Sequence, residues 1–145
     1  MANLVFTKES IFSSPCKTLV NPVNTVGVMG KGLALAFKQK YPEMFFEYRS
    51  RCKAGQLQPG SFWLWKGPER WVLNLATKQD WRRPSKLSYI ENSLDLFCFS
   101  YEDIGVDDIA FPKVGCGFGG LEWKTVKPIM VDKLGKLPIT VHIHE

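Results

Sequence analysis

The chain has 145 residues, 45% of them apolar and 23% charged, a balance that builds one core and excludes a disordered chain or two full domains. Nineteen Lys and Arg against fourteen Asp and Glu leave a formal charge of +5, which favours an anionic partner such as nucleic acid, nucleotide or an acidic protein. Four scattered cysteines and only two histidines, His142 and His144, exclude a Cys/His zinc site of familiar spacing. No apolar run approaches the roughly 20 residues of a membrane span, so the expectation is a cytoplasmic protein with reduced thiols and no membrane partner.

Asn3 to Phe6 and Lys17 to Asn21 read as short strands, the second stopped by Asn21-Pro22. A glycine-rich turn follows. Leu33 to Tyr41 is a good helix former, and Pro42 opens a second helix to about Lys53, with Phe45, Tyr48 and Cys52 on one face. Ser61 to Lys66 and Trp71 to Ala76, joined at Gly67-Pro68, read as a hairpin. A basic loop from Thr77 to Pro84 leads into a helix from about Ser85 to Asp103, with Ser85 as its N-cap and Leu87, Ile90, Leu94 and Phe97 on its apolar face. Asp108 to Pro112 is a strand, Gly115 to Gly120 a second glycine loop, Glu122 to Leu134 a helix ended by Gly135, and Ile139 to Ile143 a closing strand. Strands alternating with helices predict an α/β sheet covered on both faces, with ligands bound beyond the strand ends.

Both glycine loops lie between a strand and a helix. The first, Asn21-Pro22-Val23-Asn24-Thr25-Val26-Gly27-Val28-Met29-Gly30-Lys31-Gly32, lets backbone approach a ligand and offers helix N-terminal amides to a phosphate, yet it fits neither the P-loop nor Gly-x-Gly-x-x-Gly. A plain tight turn accounts for it equally well. The second, Val114-Gly115-Cys116-Gly117-Phe118-Gly119-Gly120, forms an anion-binding concavity without side-chain charge, so the pair can clamp a diphosphate. Phe118 either lies against a sugar or base or plugs the core beneath the loop. Cys116 has no histidine to activate it and is small enough to sit between glycines. His142 and His144 alternate on the last strand and are expected to face solvent.

Three stretches carry a family resemblance across essentially the whole chain. They are Leu19 to Ala36, Asn74 to Lys78 and Gly115 to Trp123, and their most specific parts are Asn24 to Gly32, Thr77-Lys78 followed by Trp81-Arg82, and Gly115-Cys116-Gly117 with Gly120-Leu121-Glu122-Trp123. Together they resemble a macrodomain, and more closely its DarG-like, DNA-directed ADP-ribosyl glycohydrolase branch, a relative of the terminal ADP-ribose protein glycohydrolase. The resemblance implies a three-layer α/β/α fold around a mixed sheet of about six strands, filling residues 1–145 as a single domain. It also implies metal-independent hydrolysis with no cofactor, and a monomer whose ligand is ADP-ribose. Asn24 then contacts the distal ribose and shares the catalytic centre with Lys78. The pocket is lined by Thr25, Val28, Met29, Gly30, Lys31, Gly32 and Thr77 and by Gly115, Cys116, Gly117, Phe118, Gly119 and Gly120. Protein-directed relatives place a carboxylate where this chain has Gly119, so their chemistry does not transfer directly.

A lysine amine is ordinarily a cation at neutral pH, with a pKa near ~10.4, and becomes a nucleophile when burial or a nearby cation lowers that value. Arg82, Arg83 and Lys86 are the neighbouring cations in sequence. Lys78 either attacks the anomeric carbon to give a Schiff base, or stays charged and assists the leaving base while water attacks. Trp81, Arg82, Arg83 and Lys86 combine an aromatic platform with phosphate-pairing cations, the composition of a single-stranded DNA surface, which Lys38 and Lys40 extend. The expected substrate is ADP-ribosylated single-stranded DNA, modified on thymidine by a DarT-like toxin. The alternatives are a non-catalytic ADP-ribose reader and a hydrolase of ADP-ribose on protein or small-molecule esters.

Overall fold

The computed structural model describes residues 3–145. Along the chain come β1 (Asn3–Thr7), β2 (Thr18–Val23), α1 (Gly32–Lys40), α2 (Pro42–Lys53), β3 (Phe62–Lys66), β4 (Trp71–Ala76), α3 (Leu87–Ser100), β5 (Asp108–Phe111), α4 (Trp123–Leu134) and β6 (Thr140–His144). Short 3-10 turns occur at Ile11–Ser13 and Gly117–Gly119. The six strands form one mixed sheet in the order β1-β6-β5-β2-β4-β3, parallel except for the β3–β4 hairpin.

Successive strand residues point to opposite faces, and the apolar composition of the central strands fills both. Leu73, Leu75, Ile109 and Phe111 meet Ile90, Leu94 and Phe97 of α3 and Val126 and Met130 of α4. Leu19, Val23, Val72, Ala76 and Ala110 face the other way, beneath Phe37 of α1 and Met44, Phe45 and Tyr48 of α2. The result is the expected three-layer arrangement. Among the described residues no helix is long and apolar enough to cross a membrane.

Four local expectations are corrected. β2 does not stop at Asn21-Pro22 but runs to Val23. Asn21 is buried beside its register partner Asn74, its Nδ2 donating to Asn74 Oδ1 at 3.1 Å. Val23's carbonyl faces β4, where it accepts from Thr77 and Lys78, so strand alternation turns Pro22 toward β5; pairing with β5 ends at Leu19, and no ladder bond is lost to the proline. Ser85 is not the N-cap of α3: the helix begins at Leu87, Lys86 occupies the cap without a side-chain bond, and Ser85 donates its backbone N–H to Gly119. Lys38 and Lys40 sit at the far end of α1, over the rings of Phe45 and Phe12, and do not extend the strip around Trp81. His144 is buried rather than solvent-facing, with Nδ1 2.9 Å from the Glu9 carbonyl. All four cysteines are free thiols.

Candidate active site

The carboxyl ends of β2, β4 and β5 lie side by side. After β2 the chain leaves toward α1 on one face, and after β5 toward α4 on the other, which makes this the switch point where open α/β sheets bind ligands. A cleft of about 170 Å³ opens there, floored by Val23, Asn24, Thr77 and Pro112 and walled by the two glycine loops.

Asn24 organises the first loop from within. Its Oδ1 accepts from the backbone N–H groups of Val26 and Val28 at 3.1 and 3.3 Å, and its Nδ2 donates to the Val28 carbonyl at 2.8 Å. The Tyr48 hydroxyl, from the buried face of α2, lies 2.8 Å from both the carbonyl O and Oδ1 of Asn24 and donates to them. Burial raises the Tyr48 pKa far above its ordinary value, so it is a permanent donor. One Nδ2 hydrogen of Asn24 is left for a ligand. The sequence marks Tyr48 only as a core residue; its hydroxyl is what distinguishes it.

Val28, Gly30 and Lys31 line the cleft, whereas three of their neighbours do not. Thr25 donates Oγ1 to the Gln79 carbonyl at 2.8 Å, tying the two loops together. Met29 is 1% exposed and belongs to the core. Gly32 packs against the Phe118 ring, which a Cβ would approach to 2.9 Å.

From the second loop, Gly115, Cys116, Phe118 and Gly119 line the cleft. Gly117 and Gly120 do not; they supply the left-handed backbone of the turn, at φ 64° and 81°. Phe118 is 64% exposed, so it is a wall of the cleft and no core plug, and the Lys31 ammonium stands 4.6 Å over its ring centre. Burial pushes the Cys116 thiol pKa up, which leaves it a poor nucleophile. Pro22, Leu33, Ala34, Ser85 and Lys113 also line the cleft, and none of them is among the contacts expected from the sequence.

Lys78 is the second residue past the end of β4. Its Nζ crosses the cleft and donates to the Phe118 carbonyl at 2.9 Å. Its pKa is lowered, first by burial and then by the Lys31 charge. That neighbour differs from the expected ones: Arg82 is ion-paired with Asp80 at 2.7 Å, and the guanidinium holds the Asp80 carboxyl down at about 2. No Asp or Glu lines the cleft among the described residues. Trp81 forms part of the rim, 47% exposed, with the Arg82 guanidinium 5.4 Å over its ring, while Arg83 and Lys86 are exposed beyond it.

The Lys31 charge acts on the Lys78 amine and so on the pH dependence of the site. The neutral amine gains population as pH rises through the Lys78 pKa, so if the amine is the reacting form, kcat/KM climbs along that limb. Lys31→Ala removes one of the two causes lowering the pKa, and the limb should move to higher pH, lowering kcat/KM near neutrality. A profile unmoved by Lys31→Ala, whatever its amplitude, contradicts the coupling.

Comparison with known proteins places these features. The Macro domain pattern matches residues 20–130. A DNA ADP-ribosyl glycohydrolase of Thermus aquaticus is 40% identical over 148 residues, covering 98% of this chain and 41% of that protein. The chain thus spans about two fifths of that relative. Among solved structures, the macrodomain of Thermus aquaticus DarG superposes with a TM-score of 0.93 at 37% identity, covering 100% of this chain and 99% of that one. Thermosipho africanus DarTG in complex with ADP-ribose gives 0.93 at 36% identity, over 98% of this chain and 41% of that one.

Proposed function

Because this chain belongs to the macrodomain family, on its DarG-like branch, we propose that it is an ADP-ribosyl glycohydrolase that removes ADP-ribose from a DNA base, thymidine in single-stranded DNA, and so reverses a DarT-like modification. The observation that carries the reading is the Lys78 amine, set across the cleft between the two glycine loops with its basicity lowered and no carboxylate beside it. The glycine-loop amides and the one free Nδ2 hydrogen of Asn24 suit a diphosphate and a ribose without demanding side-chain charge.

With no acid in the cleft, the covalent route fits this chain. The neutral amine attacks the anomeric carbon, and the bond to the base breaks with its electron pair leaving on the base, which takes up a proton. In the glycosylamine so formed the ring C–O bond then opens, its electron pair and a proton going to the ring oxygen as the nitrogen gives up a proton, which leaves the sugar as a Schiff base on Lys78; water adds to the same carbon, the carbon–nitrogen bond breaks to return the amine, and the sugar ring closes. No metal or cofactor enters these steps.

The polymer is the second half of the substrate. Trp81 offers a stacking face at the rim, and beside it Arg83 and Lys86 form no ion pair among the described residues and can meet phosphates, whereas Asp80 occupies Arg82. Two phosphate contacts on a single strand give a slope of roughly −1.4 in log–log salt dependence, so kcat/KM on an ADP-ribosylated oligonucleotide should fall roughly sevenfold between 50 and 200 mM salt. Arg83→Ala with Lys86→Ala should flatten it. A flat response in the wild type points instead to a protein or free-nucleotide substrate.

A further inference from the structure

Ser85 lies where the loop after β4 returns to the cleft, just ahead of α3. Only 5% of the residue is exposed, and its backbone N–H is fixed to the Gly119 carbonyl at 2.8 Å. Ser85 lines the cleft, and its Oγ, itself almost wholly covered, finds no hydrogen-bond partner among the described residues. A hydroxyl buried unpaired forfeits its hydration for nothing, which is why such groups are rare unless something else satisfies them.

The opposite wall marks the same spot. A Cβ on Gly119 would stand 2.7 Å from Ser85 Oγ and 3.9 Å from Lys78 Cε. The serine hydroxyl and the end of the lysine stem therefore both border Gly119, and any side chain at 119 would press on the hydroxyl. Glycine leaves the hydroxyl unobstructed on that side, an uncharged donor and acceptor with the Lys78 stem beside it. A hydroxyl that both donates and accepts is matched by a sugar hydroxyl.

We propose that Ser85 is a specificity-determining residue whose Oγ hydrogen-bonds the terminal ribose of the bound ADP-ribosyl group and so holds its anomeric carbon against Lys78. The assignment rests on the reading of the cleft as an ADP-ribose site.

Calorimetric titration of the full chain with ADP-ribose and, separately, with ADP, which lacks that ribose, tests it. Ser85→Ala should bind ADP-ribose about tenfold more weakly, the loss of one well-placed hydrogen bond, and ADP within twofold of wild type. Its melting temperature should be no lower than wild type, because the unpaired hydroxyl is gone. Ser85→Cys, which keeps the shape and weakens the bond, should reproduce the split between the two ligands. Wild-type binding of ADP-ribose with an unchanged Ser85→Ala affinity overturns the Ser85 assignment alone, and an equal loss for ADP and ADP-ribose overturns the ribose contact. A wild type that binds no ADP-ribose overturns the reading of the cleft and the Ser85 assignment with it.

Discussion

Lys78→Ala should lose about 10³-fold or more in kcat on an ADP-ribosylated oligonucleotide, the scale expected when a nucleophile or proton-transfer group at the reacting carbon is removed. ADP-ribose affinity should change only a few-fold, because the proposed ligands of the diphosphate are the loop amides and not the amine. Borohydride added during turnover should trap a covalent adduct on the wild type and none on Lys78→Ala. Lys78→Arg sharpens the contrast: a guanidinium keeps the charge and cannot form the Schiff base, so it should be as inactive as alanine. Substantial activity in Lys78→Arg, with no trapped adduct in the wild type, would assign the lysine an electrostatic role instead.

Gly115→Val should be the most damaging substitution for the cleft as a structure. Gly115 has φ 76°, and a Cβ there would come within 2.8 Å of Leu121 Cδ1 and 3.0 Å of Ile90 Cδ1, the second being fully buried under α3. A β-branched residue meets both the left-handed backbone penalty and an overfilled core, together about 3–5 kcal/mol. For a chain of this size that lowers Tm by roughly 10 °C or more. The loop should also shift, because the Gly115 carbonyl that accepts from Leu121 at 3.0 Å belongs to the same turn, and ADP-ribose binding should be lost with it. Gly117→Ala is the control. It shares the positive φ, at 64°, but its Cβ would meet nothing within 4 Å, so its cost should be about 1–2 kcal/mol. Equal melting temperatures for Gly115→Val and Gly117→Ala would contradict the packing argument.

The order of elements is readable from periodicity and punctuation: Pro42 starts α2 where the sequence suggests, and Leu87, Ile90, Leu94 and Phe97 carry α3 onto the sheet. Local signals fail where a distant partner overrides them. Pro22 reads as a strand stop until the short β5 beside it leaves nothing for a proline to disrupt. Ser85 reads as a helix cap, yet a carbonyl in the second glycine loop holds its backbone instead. Within the site, Lys78, Asn24 and the two glycine loops stand out by motif, but the electrostatics do not. The cation that lowers Lys78 is Lys31 from the first loop rather than Arg82 nearby, whose charge Asp80 has taken. Tyr48 and Ser85 carry no motif, and their importance lies in which atom each side chain meets, or fails to meet, after folding.

The excess of five positive charges acquires a division of labour on this account. The diphosphate is assigned to uncharged loop amides, Lys78 to the reacting carbon, and Arg83 and Lys86 beside Trp81 to the strand that bears the modification. The most direct test is mass spectrometry of a single-stranded oligonucleotide carrying one ADP-ribosylated thymidine, incubated with the wild-type chain beside an ADP-ribosylated protein. The account predicts that the oligonucleotide loses the mass of ADP-ribose and recovers an unmodified thymidine, while the protein keeps its label. An oligonucleotide that stays intact while the chain still binds ADP-ribose would contradict it and make the chain a reader of the modification.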